Sequence, residues 1–381
     1  MSSEQIIFLL PLLAGMVVSN TTQKATAEEP LVFISAFAPG DKGAIYTFQL
    51  NSKTGELKEV ARTTEVENPF FMTVSPDNQY LYSINAPGKF GGKENEYVAA
   101  FKLEGRTGKL KLLNQQSSHG TASCYLDIDK SGKTVVVANY SSGNIASLPV
   151  KADGSLEKAA TIIQHTGSSV DTKRQNEPHA HSIVISPDQK FVFAADLGID
   201  KVLSYQIDPE TAKLSPSPQP FVRTVPGGGP RHMTFHPDGK QLYVINELKN
   251  SVSHFSYAPQ TGTLVERDTI ATLPEDFEGT SHTADVKITP NGRFLYGTNR
   301  GHDSIAAYKI DDAGKLSLLE IKPSLGKGPQ NLAITADGKF LLCANMPGNN
   351  VVVFQIDQKT GMLNAVGEPV SMPGPSCIMI R

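Results

Sequence analysis

The sequence predicts an all-β fold, a seven-bladed β-propeller built from four-stranded antiparallel blades. Three observations predict it. A unit recurs along the chain: an apolar strand, a Ser-Pro-Asp-Gly-Lys-like turn and a second apolar strand, with anchors Pro76, Lys130, Pro187, Pro237, Pro290 and Ala336 spaced 54, 57, 50, 53 and 46 residues apart. A third strand follows each pair and occurs seven times, and most copies then turn through Thr-Gly-x-Leu into a more polar fourth strand. The chain also begins and ends in mid-unit, so that each end lacks what the other supplies. Alternating apolar residues, β-branched enrichment and Gly/Pro/Asp turns specify antiparallel strands, and four strands in about 50 residues make one propeller blade.

In chain order, Leu31–Phe37 (LVFISAF) matches second strands such as FLLCANM, and Ala44 opens a third strand that ends at Thr54-Gly55-Glu56-Leu57. Phe71–Asn85 (FMTVSPDNQYLYSIN) begins the next unit, with a third strand from Tyr97 and the turn Thr107-Gly108-Lys109-Leu110. Tyr125–Asn139 (YLDIDKSGKTVVVAN) and Ser182–Asp196 (SIVISPDQKFVFAAD) follow, with third strands from Asn144 and Lys201. His232–Asn246 (HMTFHPDGKQLYVIN) leads to a strand from Ser251 and the turn Thr261-Gly262-Thr263-Leu264. Asp285–Asn299 (DVKITPNGRFLYGTN) leads to a strand from Ser304. Asn331–Asn345 (NLAITADGKFLLCAN) leads to a strand from Asn350 and the turn Thr360-Gly361-Met362-Leu363. Pro375–Ile380 (PSCIMI) then matches first strands such as PQNLAI. Pairing of the two half-units closes a ring of seven blades without an unpaired edge. One ring accounts for residues 28–381 as a single domain, where separate β-sandwiches would not predict complementary halves.

Composition narrows the function classes. Lys plus Arg is 35 and Asp plus Glu is 38, a net formal charge of −3, and no long basic run occurs. A phosphate backbone needs a concentrated positive footprint, so nucleic acid is not expected as a partner. The three cysteines, Cys124, Cys343 and Cys377, lie in apolar runs without paired spacing, which excludes a disulfide scaffold and a cysteine zinc site. Ile6–Val18 is apolar except for Pro11 and Gly15, and is shorter than the roughly 20 residues a bilayer span takes. Ala25-Thr26-Ala27 before Glu28 supplies the small residues a signal peptidase accepts, so residues 1–27 read as a signal peptide, although the segment before Ile6 carries Glu4 and no Lys or Arg. The mature chain is expected to be exported, or cytoplasmic if that leader does not function, and to be a monomer without a membrane span.

Chemistry is sought where one repeat departs from the others. Six residues before each anchor, at the start of the channel-lining strand, stand Phe70, Cys124, His181, Arg231, Ala284, Gln330 and Ser376. At the end of the second strand stand Ala36, Asn85, Asn139, Asp196, Asn246, Asn299 and Asn345, a ring read as structural because such side chains satisfy turn backbone. The next position holds Phe37, Ala86, Tyr140, Leu197, Glu247, Arg300 and Met346. His181, Arg231, Glu247 and Arg300 are independent departures that converge on one channel mouth, with His179, His232 and His282 beside them. A carboxylate or imidazole takes a proton from water, and guanidinium groups fork onto an anion, which suits hydrolysis of an anionic ester. A lone Arg–Glu pair in such a channel is equally a structural salt bridge, and that alternative stays open for each residue taken singly. Gly227-Gly228-Gly229 lacks the Lys and helix of a phosphate loop and reads as a flexible connection into the channel strand. No Gly-x-Ser-x-Gly elbow occurs, and no further ligands join His179 and His181, so no metal and no cofactor is expected.

At these residues the sequence resembles the seven-bladed lactonase propellers, the family of propeller-type 6-phosphogluconolactonase, related to carboxy-muconate lactonizing enzyme. The resemblance runs from about Leu31 to Arg381. Its most specific segment extends from Gly229-Pro230-Arg231-His232-Met233 through His236-Pro237 to Asn246-Glu247-Leu248, supported by His181-Ser182 and by Asn299-Arg300-Gly301-His302-Asp303. It implies metal-independent hydrolysis of a small-molecule lactone, 6-phosphogluconolactone foremost. His181 and Glu247 would be catalytic, and Arg231 and Arg300 would hold the anion, with His179, His232, His282 and Gln330 among the substrate contacts. Two other readings remain: a cycloisomerase that forms a lactone from an unsaturated dicarboxylate, and a non-catalytic exported propeller that binds a partner.

Overall fold

The turn chemistry that recurs in the sequence closes a hairpin in successive blades. Ser75 Oγ accepts from Tyr80 N at 2.9 Å, and Asp77 Oδ1 accepts from Gln79 N at 3.0 Å. Two residues after the anchor the backbone enters the left-handed region, at Asn78 (φ +57°), Gly132 (φ +70°), Gln189 (φ +63°), Gly239 (φ +69°), Gly292 (φ +72°) and Gly338 (φ +71°). A computed structural model describes residues 1–2, 28–88, 90–92 and 96–381. The expected signal peptide, beyond its first two residues, lies outside the described residues.

Among the described residues, seven antiparallel sheets of four strands each form the blades. Blade 1 joins Pro375–Ile380 to Leu31–Ala36, Ala44–Leu50 and Leu57–Thr63. Val32 pairs with Ile380, Ile34 with Ile378 and Ser35 with Cys377, so the two termini close the ring as the half-units require. Blades 2 to 7 begin on the strands Pro69–Val74, Ser123–Ile128, Ala180–Ile185, Pro230–Phe235, His282–Ile288 and Pro329–Ile334. Each of these meets its counterpart in the next blade around the axis. No helix of the described residues is long and apolar enough to cross a membrane.

Apolar side chains from both faces of each blade pack against its neighbours, and this inter-blade layer is the core. The Thr-Gly-x-Leu turn is part of it. Gly262 has φ +69°, and a Cβ there would stand 2.4 Å from Phe191 Cε1 of the preceding blade. Gly361 meets Phe294 in the same way at 2.3 Å. Hydroxyls of the preceding blade hold these turns: Thr47 Oγ1 donates to Gly108 O at 2.8 Å, and Tyr296 OH to Gly361 O at 2.8 Å.

One irregularity positions the site. Every inner strand slips register at its start, skipping Phe70, Cys124, His181, Arg231, Ala284, Gln330 or Ser376. A β-bulge adds an unpaired residue and re-aims its side chain. The seven positions that differ most between repeats are therefore seven bulge residues around one end of the channel.

Candidate active site

Glu247 is the centre of the cluster. It follows the strand Gln241–Asn246 and its side chain is buried. Its Oε2 accepts from Arg231 Nε at 2.9 Å and from Arg300 Nη2 at 2.8 Å. Its Oε1 accepts from Arg174 Nη2 at 2.7 Å. His181 Nε2 lies 3.9 Å from Oε2, beyond hydrogen-bond distance and within reach through one water. Burial alone would raise the Glu247 pKa, but Arg300, Arg231, His181 and Arg174 together hold it well below the usual carboxylate range. Burial and the Arg231 charge push His181 well below the usual imidazole range, against the pull of Glu247.

The two arginines on Glu247 Oε2 differ in access. Arg231 is only 2% exposed. Its guanidinium donates to Glu247, to Ala284 O and to His232 Nε2. Burial, and then the Arg300 charge, lower its pKa to about 10. Arg300 ends the strand Phe294–Arg300, donates from Nη2 to Thr283 O at 3.0 Å and from Nε to His282 O at 3.3 Å, and faces Gln330 Oε1 at 3.5 Å. His232 lies one layer deeper, on the channel axis, with Tyr125 at 4.9 Å and Phe71 at 5.9 Å between ring centroids. Its Nδ1 donates to Asp285 Oδ1 at 2.8 Å, which leaves Nε2 as the acceptor for Arg231. Burial and Arg231 push its pKa down to about 3. Asp285 is in turn held by Lys287, Asn331 Nδ2 and Leu332 N at 2.8, 2.8 and 2.9 Å. His179 stacks on Tyr140 at 4.4 Å between centroids and donates from Nδ1 to Tyr140 O at 3.0 Å.

A cleft of about 1060 Å³ opens over this cluster. Arg174, Glu247, His282, Arg300 and Gln330 form one wall, and Phe37, Pro39, Met346 and Pro347 the other, with Lys42 and Lys327 at its edge. Glu247 is the one carboxylate among the described residues that line it. His179, His181, Arg231 and His232 stand behind that wall. Such a cleft draws in anions and presents an apolar face opposite the charged groups.

Arg174 and Asp285 are the parts that repeat comparison does not isolate. Arg174 sits on the crossover between blades 3 and 4, residues 165–179, the longest among the described residues. The 57-residue spacing from Lys130 to Pro187, the largest of the set, was its signal. Asp285 occupies an ordinary inner-strand position, and only the ring geometry brings it under His232. The Gly227-Gly228-Gly229 segment is tied down rather than flexible: Gly227 N and Gly229 N donate to Asp200 at 2.6 and 2.8 Å. Its glycines serve close approach, since a Cβ on Gly229 would stand 2.7 Å from Leu248 Cγ.

Residues 31–380 match the family model described as a seven-bladed β-propeller lactonase. The chain is 33% identical over 347 residues to a 6-phosphogluconolactonase of Bacillus subtilis, covering 91% of this chain and 97% of that one. It is 33% identical over 358 residues to a 6-phosphogluconolactonase of Formosa agariphila, covering 92% and 99%. Among solved structures, the periplasmic gluconolactonase of Pseudomonas aeruginosa superposes with a TM-score of 0.86 at 30% identity, covering 92% of this chain and 98% of that one.

Proposed function

This chain belongs to the family of seven-bladed β-propeller lactonases, and from that premise we propose that it hydrolyses a sugar lactone to its hydroxy acid with a water activated at Glu247 and His181. The observation that carries the reading is Glu247: a buried carboxylate at the base of an anion-attracting cleft, with an imidazole 3.9 Å away. The assignment is general base catalysis. Glu247 accepts the proton of a water held between it and His181, and that oxygen attacks the lactone carbonyl. His181 is neutral near pH 7 and orients the water. Arg300 meets the anion of the substrate from the cleft wall, and His282 and Gln330 meet its hydroxyls. Arg231, with His232 and Asp285 behind it, fixes the carboxylate from the closed side, and His179 does the same for Tyr140.

6-Phosphogluconolactone is the first substrate to test, because two relatives at 33% identity are named for it and cations edge the cleft. A second substrate, unphosphorylated gluconolactone, has its own support: the Pseudomonas aeruginosa relative is named a periplasmic gluconolactonase, which also fits the expected signal peptide. The test is acid release in a pH-stat from both lactones, with and without EDTA, corrected for spontaneous opening. Enzyme-dependent release unaffected by EDTA is expected. Release no faster than the spontaneous rate from either compound overturns the reading.

A further inference from the structure

We propose that Arg174 is a further catalytic residue, a latch that rests on Glu247 Oε1 and transfers to the lactone carbonyl oxygen when substrate enters. The proposal rests on the lactonase reading above. The two oxygens of Glu247 are held unequally. Oε2 takes Arg231 and Arg300, both anchored by backbone carbonyls. Oε1 takes Arg174 at 2.7 Å, and the other acceptor of that guanidinium among the described residues is Tyr140 OH at 3.3 Å. Arg174 is also the most open of the three, with 35% of its side chain exposed against 2% for Arg231 and 27% for Arg300.

Its position is equally particular. Tyr140 belongs to blade 3 and Glu247 to blade 5, and His181 of blade 4 lies between them. The His181 ring is 5.2 Å from Tyr140 between centroids, and its Nε2 is 3.9 Å from Glu247 Oε2. Arg174 bridges Tyr140 and Glu247 across this gap, and it lines the cleft where His181 does not. A lactone approaching His181 and Glu247 therefore meets Arg174 first. The backbone beneath is fixed: buried Gln175 donates from Nε2 to Leu197 O at 2.8 Å and to Asp200 Oδ1 at 2.7 Å, and Gln175 N donates to Asp171 O at 2.7 Å. The movement required is a side-chain swing on a rigid base, with Tyr140 OH as an acceptor at its side.

The resting arrangement makes Glu247 a weak base, since Arg174, Arg231, Arg300 and His181 all face it, with Tyr140, Cys124 and His282 nearby. Transfer of Arg174 to the lactone removes one of the three arginine charges and frees a lone pair on Oε1. That oxygen takes a proton from water as the water oxygen bonds to the carbonyl carbon. The carbonyl π pair moves onto oxygen, where Arg174 holds the charge. The pair returns, the ring C–O bond breaks, and the ring oxygen takes the proton back from Glu247. The hydroxy acid ionises, leaves as its carboxylate, and Arg174 returns to Oε1.

Arg174→Gln and Arg174→Lys test this, with kcat, KM and melting temperature measured for each on the lactone that wild type turns over fastest. The latch requires Arg174→Gln to lower kcat by about 100-fold or more, the range for loss of one oxyanion donor, with partial recovery on adding millimolar guanidinium chloride. Arg174→Lys, which keeps a point charge without the fork, falls between. An arginine that only neutralises Glu247 predicts the reverse: freeing Oε1 leaves kcat equal to wild type or above it, and guanidinium does nothing. That result overturns the latch while the lactonase reading stands. If Arg174→Gln does not fold, the lysine variant decides alone, and wild-type kcat in it overturns the latch. Wild type without enzyme-dependent release from either lactone overturns both.

Discussion

At the scale of single residues, the proposed catalytic pair is one carboxylate and one imidazole pushed in the same direction for different reasons. Arginine charges depress Glu247, and burial depresses His181, so both are in their basic forms at neutral pH. Glu247→Gln and His181→Ala are each expected to lower kcat by about 100-fold or more, the range for lost general acid–base help, with smaller changes in KM. Near-wild-type kcat in both variants would remove them from the mechanism. His232 carries a separate expectation about stability. It is buried neutral with a pKa of about 3, whereas an unfolded histidine titrates near 6.5. Below pH 6.5 the unfolded chain therefore binds a proton that the folded chain does not, and stability falls as pH drops toward 3. The slope is about 1.4 kcal/mol per pH unit for one such group, and His181 adds to it with the same sign. Denaturant melts between pH 7 and 5.5 measure this above the range in which Glu247 and Asp285 titrate in the unfolded chain. A midpoint that does not move over that interval refutes the assignment of buried neutral histidines.

At the scale of the element, two turn glycines with the same backbone angle do different work. Gly239 and Gly262 both have φ +69°. A Cβ on Gly239 would meet Pro187 Cβ at 3.4 Å, an ordinary contact, while one on Gly262 would stand 2.4 Å from Phe191 Cε1. Gly239→Ala should therefore cost only the left-handed strain, about 1 to 3 kcal/mol. Gly262→Ala adds the displacement of a buried phenylalanine in the inter-blade layer and should lower the melting temperature further. Equal losses in the two variants would show that inter-blade packing at this turn carries no extra stability. The bulge at the start of each inner strand is the other element that shapes the candidate site. It brings His181 and Arg231 into the channel at positions where Phe70, Ala284 and Ser376 leave other blades without charge.

At the scale of the whole molecule, the ring is closed by six residues. Pro375–Ile380 pairs with Leu31–Ala36, and Ser376 Oγ meets Ser35 Oγ at 2.9 Å beside Phe70 O, joining blades 1 and 2 at the seam. Without this strand blade 1 would expose a sheet edge and part of the apolar side chains of Phe33 and Ile34, one on each face of the sheet. Deleting residues 375–381 is expected to lower the unfolding midpoint and broaden the transition. An unchanged, equally sharp transition in circular dichroism would show that the seam contributes nothing to cooperativity.

The repeat made the fold legible in the sequence alone. Strand periodicity and turn chemistry are local properties, and seven copies state them seven times. The complementary ends of the chain, LVFISAF and PSCIMI, then specified closure and blade number. His181, Arg231, Glu247 and Arg300 were legible as departures from the repeat, and the register slips show why His181 and Arg231 face the channel. What each of them touches was not legible, because contact across a ring is between residues distant in sequence. The Arg300–Glu247 ion pair, the His232–Asp285 pair on the axis and the reach of Arg174 across His181 each join different blades. Only the closed ring decides them: curvature of the ring sets which bulge residues meet over the channel mouth, and no spacing along the chain encodes that distance.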